Sequence, residues 1–209
     1  MKPTDWNVVV AGAWNPAILT PHFVLTSLFQ EDEGTPIAVE VALDRSVPTR
    51  MRHDGIFVVH EPGRLTVAPE RPAFQGLWKA AGIAQRAIEE LPRTPLVAAG
   101  VNVRFKFDEM PPGLTEMRHC KLIDVLVDGD YNIESGALRC TVKLVPGVIN
   151  IELTENPDGS GLLALNHHLG SANRDELLGW LGMSEKIEAE AKRLTESVFG
   201  FTLEPGEEA

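Results

Sequence analysis

The sequence predicts an α+β fold in which a large, mostly antiparallel sheet of seven or eight strands carries three or four helices on one face. Short strand-like segments flank turn sequences at Glu61-Pro62-Gly63 and Pro146-Gly147, which is typical of hairpins and therefore of antiparallel pairing. Longer segments between them have helical apolar spacing. The chain is 44% hydrophobic and 23% charged, an ordinary composition for a globular protein.

The first half of the chain is predicted to have the order β-α-β-β-β-α. Residues 6–13 are apolar on both alternating faces, which suits a central strand, and Thr20-Pro21 indicates a helix start. Proline after Leu91 must end the second helix. Helices are predicted over 21–29 and 73–91, and strands over 6–13, over 37–43 and in the hairpin segments GIFVVH and RLTVA.

The second half repeats this order as β-(α?)-β-β-β-α. Residues 97–107 alternate, and Asn173 with Glu176 resembles a capping box that begins a helix. Residues 114–127 fit both the helical and the strand period. The remaining predictions are strands in ALRCTVKLV, VINIELT and LLALNHH, a helix to Leu181, and a helix from Ser184.

The repeated order indicates one domain over residues 1–203, built of two similar halves, 1–92 and 93–203, with a flexible acidic tail at 204–209. The alternative is that the order repeats by chance. In element order alone, the pattern resembles the two-fold saddle of the TATA-binding-protein fold. A curved sheet that grips one long C-terminal helix is equally compatible with it.

The charge balance disfavours several classes of function. The formal net charge is -11, with 19 basic against 30 acidic residues, whereas proteins that bind nucleic acid through phosphates need a basic surplus. The N-terminus lacks the apolar core of a signal peptide, and no apolar run is long enough to span a membrane. Cytoplasmic localisation with reduced thiols is therefore expected, and Cys120 and Cys140 form no zinc motif.

The sequence predicts no metal, no cofactor and no catalytic residue. His167 and His168 are adjacent, but neighbours in a strand point to opposite faces, so a regular strand keeps them from ligating one ion. We expect His167 on the core side and His168 on the polar side. The acidic segment DGDYNIE lacks the glycine and the last glutamate of a calcium loop.

One polar surface remains as a candidate binding site. Alternation in the strands of the second half places its polar residues together on the face away from the core. The candidate site residues are Asn102, Arg104, Lys106, Arg139, Lys143, Asn166 and His168. Thr141, Asn150 and Glu152 share this face, and the hairpin is expected to set Lys143 opposite Asn150 and Thr141 opposite Glu152.

The favoured hypothesis is a non-enzymatic protein-binding or assembly module that forms homo-oligomers and uses this polar face. Segment WNPAILTPHF, residues 14–23, is either a staple over the core or an oligomer contact. The alternative is an enzyme, or a protein for a small anionic ligand, with a pocket between sheet and helices. That pocket would be formed by His168, Asn166, Asn102 and Arg104.

Overall fold

The computed structural model describes residues 1–41, 48–111, 126, 128–130 and 134–203. The ambiguous segment 114–127 lies outside these residues apart from Leu126, as does the predicted tail. The strands are β1 (Lys2–Gly12), β2 (Ala38–Glu40), β3 (Arg50–His53), β4 (Ile56–Glu61), β5 (Arg64–Pro69), β6 (Leu96–Phe107), β7 (Gly136–Lys143), β8 (Val148–Glu155) and β9 (Gly161–Gly170). The helices are α1 (Pro21–Phe23), α2 (Phe74–Glu90), α3 (Arg174–Leu181) and α4 (Ser184–Lys192). Helices α1 and α4 continue as π-helical turns, Val24–Phe29 and Arg193–Val198.

The strands of the described residues form one antiparallel sheet in the order β2-β3-β4-β5-β1-β6-β9-β8-β7. In each half of the chain the first strand pairs with the last one, β1 with β5 and β6 with β9. Strands β1 and β6 then pair with each other at the centre of the sheet. The internal duplication stays a prediction, and this symmetrical strand order supports it.

The predicted α+β class, with helices on one face of a large antiparallel sheet, is confirmed. Helix α2 packs across β5, β1 and β4, and alanines along its buried side let it lie close to the sheet. Asn173 caps α3 by accepting from the backbone N–H groups of Asp175 and Glu176. The Glu176 carboxylate accepts from the Ser171 hydroxyl, so only one half of the predicted capping box forms.

The described sheet has nine strands, so the predicted number of seven or eight is too low. Strand β3 was missed because its sequence is Arg-Met-Arg-His, in which Met51 is the single buried apolar residue. Val97 alternates with the buried residues Ala99 and Val101, yet its own side chain is 64% exposed. A register irregularity between β1 and β6 at Gly12 and Leu96 accompanies this exposure at the end of the strand.

Aromatic side chains join the sheet to the helices. The Trp6 ring lies 4.7 Å from that of Phe74 and 5.4 Å from that of Phe105, and its indole N–H donates to the Arg104 carbonyl. Trp14 and Leu19 of segment 14–23 are also buried, as a staple over the core requires, whereas Ile18 is 44% exposed. Within the described residues, no helix combines the length and apolarity needed to span a bilayer.

We expect Phe105→Ala to lower the free energy of unfolding by about 3–5 kcal/mol, because it leaves a cavity beneath Trp6. Urea denaturation measures this loss. Val97→Ala truncates an exposed side chain on the same strand and should change stability by less than about 0.5 kcal/mol. Equal losses for both variants would show that the aromatic cluster does not anchor the sheet.

Candidate functional site

The face of the sheet opposite the helices carries the predicted site residues, and we call it the polar face. Residues opposite each other in the β6–β9, β9–β8 and β8–β7 pairs point to the same side, so the register sorts the side chains into rows. All seven candidate residues lie on this face. The rows, from β7 to β1, are Thr141, Asn150, Asn166, Asn102 and Asn7; then Arg139, Glu152, Ala164, Arg104 and Thr4; then Lys143, Val148, His168, Gly100 and Val9.

The first row is a continuous chain of side-chain hydrogen bonds, which we call the asparagine ladder. Thr141 Oγ1 donates to Asn150 Oδ1 (2.9 Å), and Asn150 Nδ2 donates to Asn166 Oδ1 (3.0 Å). Asn166 Nδ2 donates to Asn102 Oδ1 (2.6 Å), and Asn102 Nδ2 donates to Asn7 Oδ1 (2.8 Å). The ladder therefore crosses five strands with every donor pointing the same way.

The ladder leaves part of its hydrogen-bonding capacity unused. An asparagine amide has two N–H donors and two acceptor lone pairs, and each inner amide of the ladder uses one of each. The remaining donors and acceptors are free to face outwards. Gly100 lies beside the ladder, and a Cβ there would come within 3.2 Å of Asn166 Nδ2. The absence of a side chain at Gly100 thus leaves room for the amide row.

A β-bulge at Asp5 ends the ladder and changes which residues of β1 reach the polar face. The β1–β6 register shifts between Thr4 and Asn7, and Asp5 has a φ of 51°. Trp6 and Val8 face the core, but beyond the bulge Thr4 and Lys2 lie opposite residues of the polar face. The Asp5 carbonyl accepts the last bond of the ladder, from Asn7 Nδ2 at 3.4 Å.

A shallow depression of about 460 Å³ lies on the polar face. Its floor includes the ladder and the small residue Ala164, and its rim carries Arg104 and the Arg139–Glu152 ion pair, whose N–O distance is 2.7 Å. Asn102 and Asn166 also line it, whereas Lys106, Lys143 and His168 do not. The structure therefore brings four of the seven candidate residues together in one concavity.

Three cations of the polar face have no partner in the described part of the chain. The side chains of Arg104, Lys106 and Lys143 make no hydrogen bond or ion pair with any residue that the structure describes, whereas Arg139 is held by Glu152. Lys106 even lies opposite Lys2 across the β1–β6 pair. The polar face thus presents uncompensated positive charge in a protein whose net charge is -11.

The predicted pairing across the Pro146-Gly147 turn is wrong by two residues. Thr141 lies opposite Asn150, and Lys143 lies opposite Val148, because the turn contains four residues, Leu144 to Gly147. The Leu144 N–H donates to the Gly147 carbonyl and closes this turn. A slip of two residues keeps every side chain on its face, so the composition of the polar face is unchanged.

Gly147 explains why this turn is so short. Its φ is 95°, and a Cβ there would approach the His168 carbonyl oxygen to 2.4 Å. A residue with a side chain would be strained by the backbone conformation and would also clash with β9. Glycine therefore permits the tight turn and the register that aligns Thr141 with Asn150.

The two adjacent histidines lie on opposite sides of β9, as strand geometry requires. His168 is half-buried on the polar face, and His167 is 1% exposed within the core. Burial lowers the pKa of His167 to about 4, although the nearby Glu190 carboxylate opposes this shift. Among the residues that the structure describes, no three histidine, cysteine or acidic side chains form a group able to hold a metal ion.

A second cavity, of about 1080 Å³, lies between the sheet and the helices, where the alternative hypothesis expected a pocket. Trp6, Phe74 and Phe105 line it. Two lysines at this cavity are paired, Lys79 with Asp54 and Lys192 with Glu188. None of His168, Asn166, Asn102 and Arg104 lines this cavity, whereas Asn166, Asn102 and Arg104 line the depression on the polar face.

Sequence reasoning overlooked Asn7, which completes the ladder. Asn7 interrupts an otherwise apolar strand, in which it alternates with Trp6 and Val8. An isolated amide on the outer face of a central strand indicates a polar neighbour across the strand. The neighbour, Asn102, becomes evident only from the pairing of β1 with β6, which connects residues 95 positions apart.

No protein-family model matches the chain, and neither the comparison with curated proteins nor that with solved structures found a match.

We expect a coupling energy of about 1 kcal/mol between Asn102 and Asn166 when both are replaced by alanine singly and together. Urea denaturation of the four proteins measures this double-mutant cycle. Asn7 and Thr141 stand at opposite ends of the ladder without contact, so the same cycle on them should be additive to within about 0.5 kcal/mol. Additivity for both pairs would contradict an ordered ladder.

We expect His167 to make the protein less stable as the pH falls from about 6.5 to about 4. In this window the unfolded chain binds a proton at its normal pKa, whereas buried His167 stays neutral, so acid favours unfolding. The shift corresponds to about 3 kcal/mol. Denaturation at several pH values should give a shallower pH dependence for His167→Leu than for the wild type, and parallel curves would contradict this.

Proposed function

We propose that this protein is a non-enzymatic protein-binding or assembly module whose polar face binds an acidic segment of a protein partner. The observation that carries the proposal is the position of Arg104 and Lys143 in the rows on either side of the asparagine ladder, with Lys106 one row beyond Arg104. None of the three has a partner among the residues that the structure describes. A cation that already forms an ion pair within the protein contributes little free energy to the binding of a partner. A cation without such a pair can form a new charge-assisted hydrogen bond with the partner.

The ladder matches the chemistry of an extended peptide. A peptide backbone presents alternating donors and acceptors, and the unused N–H groups and lone pairs of the ladder offer the complementary groups in a row. From Asn7 to Thr141 the ladder crosses four inter-strand steps, about 19 Å in all. About six residues of an extended peptide span this length.

The cations of the neighbouring rows favour acidic side chains on that peptide. Arg104 lies in the row on one side of the ladder, and Lys143 lies in the row on the other side. An acidic peptide laid along the ladder would thus meet positive charge on both sides. Because the whole protein is acidic, long-range repulsion opposes the approach of such a peptide, and screening by salt weakens both this repulsion and the local attraction.

A small anionic ligand is the second candidate, favoured by the depression itself. Its volume of about 460 Å³ is within the usual range for small-molecule sites, and Arg104 and Arg139 stand at its rim. The two candidate ligands differ in whether their binding depends on Lys143, which lies outside the depression. A small ligand should be insensitive to a substitution there, whereas a peptide that follows the ladder should be sensitive.

We expect Arg104→Glu combined with Lys143→Glu to weaken binding of a fluorescent hexaglutamate peptide at least about tenfold at low ionic strength, because both flanking charges reverse sign. Fluorescence anisotropy measures this binding, and uncharged hexaserine of the same length serves as a negative peptide control. Circular dichroism and thermal unfolding should be unchanged, since both side chains project from the polar face.

The matched control variant is Arg52→Glu combined with Arg64→Glu. It changes the net charge by the same amount, but these arginines belong to the other half of the sheet and are paired with Glu70 and Glu61. Its affinity for hexaglutamate should stay within about twofold of the wild type. Equal weakening by both variants, or none by either, would contradict binding at the polar face. Salt-sensitive binding of DNA or RNA instead would favour a nucleic-acid function.

A further inference from the structure

Strand β7 forms one edge of the described sheet, and no strand of the described residues lies along its outer side. It is eight residues long, and every residue from Ala137 to Lys143 is exposed. No described residue pairs with its outer side. On the side of the sheet that carries the helices, β7 presents Leu138, which is 53% exposed, and Val142, which is 42% exposed. An apolar row thus reaches the edge uncovered.

Apart from the two charged side chains Arg139 and Lys143, this edge lacks the devices that usually protect edge strands. Proteins block edge-to-edge pairing with short strands, prolines or bulges. Strand β2, at the opposite edge, has only three residues. Strand β7 contains no proline, and its pairing with β8 runs without a register shift over all eight residues. The long, regular edge of β7 is therefore a template for another strand.

The backbone groups that this edge offers follow from the turn. The Leu144 N–H donates to Gly147 within the hairpin, so it points towards β8. Residues two apart in an antiparallel strand direct their N–H and C=O groups the same way. Cys140 and Val142 therefore bond towards β8, and the groups of Arg139, Thr141 and Lys143 point outwards.

We propose that two copies of the chain pair through β7 in antiparallel fashion, with a two-fold axis at Cys140, so that both sheets join into one. A two-fold interface matches the same surface with itself. Centred on Cys140, all of Ala137–Lys143 overlaps with the same segment of the second copy. Leu138 then lies opposite the partner's Val142, and the apolar rows of both edges meet and continue into the cores.

Charge selects this register over its neighbours. With the axis at Cys140, Arg139 faces the partner's Thr141, and Lys143 faces the partner's Ala137. An axis at Arg139 would place the two arginines opposite each other, and one at Thr141 would place Arg139 opposite the partner's Lys143. Like charges directly opposite are destabilising. An axis at Leu138 avoids such pairs but gives up four residues of overlap.

This dimer rests on the assembly part of the proposed function. In it, the polar faces of both copies lie on the same side of one continuous sheet. It does not depend on what the polar face binds. The experiments below examine β7 alone, so their failure would leave binding of acidic peptides untouched. Conversely, loss of peptide binding in the polar-face variant would say nothing against the dimer.

Disulfide trapping tests the register. Cys140 is a free, exposed thiol, and Cys120→Ser leaves it as the single cysteine of the chain. Directly opposed residues of this kind in an antiparallel pair have Cα atoms about 4.5 Å apart, within the reach of a disulfide. Diamide should therefore convert this variant into a covalent dimer on a non-reducing gel.

Displaced cysteines provide the matched controls. In a background of Cys120→Ser and Cys140→Ser, Leu138→Cys places the two thiols about 14 Å apart along the strands, too far for a bond. This variant should stay uncrosslinked, whereas Leu138→Cys combined with Val142→Cys should crosslink as Cys140 does. Equal crosslinking of Cys140 and of the single Leu138→Cys variant would overturn the register.

Light scattering during size-exclusion chromatography tests the dimer itself on the full chain. The wild type and Cys140→Ser should elute with twice the mass of the chain. Cys140→Lys sets two ammonium groups opposite each other at the axis, so its measured mass should fall by half, with unchanged circular dichroism because the side chain is exposed. A monomeric wild type at high micromolar concentration, or a dimer that Cys140→Lys leaves intact, would overturn the proposal.

Discussion

The pairing of β1 with β6 is the interaction on which the rest of the structure depends. Each half of the chain closes on itself by pairing its first strand with its last, and this central pair is the backbone connection that makes one sheet of both. It sets Asn7 beside Asn102, and on the opposite side it brings the Trp6 and Phe105 rings into edge-to-face contact. A shift of the β1 register by one residue would point its polar side chains into the core and its aromatic side chains into solvent.

The two sides of this sheet are ordered by different interactions. The side under α2, α3 and α4 is closed by aromatic and aliphatic packing, and its larger cavity contains charges that are paired internally. The opposite side has few apolar contacts to gain, and its order comes from side-chain hydrogen bonds between strands. Rigid side chains lose less entropy on binding than mobile ones, so an ordered polar row is well suited to hold a partner.

Much of this arrangement could be predicted from alternation and turn chemistry. The helix positions, the hairpins and the sorting of Asn102, Arg104 and Asn166 onto one face follow from local periods. What local patterns could not supply is strand order. The partnership of Asn7 with Asn102 depends on contacts across 95 residues, and the strand Arg50–His53 carries too few apolar residues to be recognised. The predicted register of the β7–β8 hairpin was wrong for a different reason, because the length of its turn depends on the close approach of Gly147 to β9.

The bulge at Asp5 has an effect far beyond its own strand. A backbone carbonyl can only accept a hydrogen bond, so Asn7 must present its N–H group there and its oxygen to Asn102. With Asn7 fixed in this orientation, Asn102, Asn166 and Asn150 must each donate towards β1 and accept from the side of β7. The Thr141 hydroxyl is the donor at the far end of the row. The amide dipoles consequently add along the row instead of cancelling. A single irregularity near the start of the chain thus aligns the side-chain dipoles across five strands, from the β7 edge to the centre of the sheet.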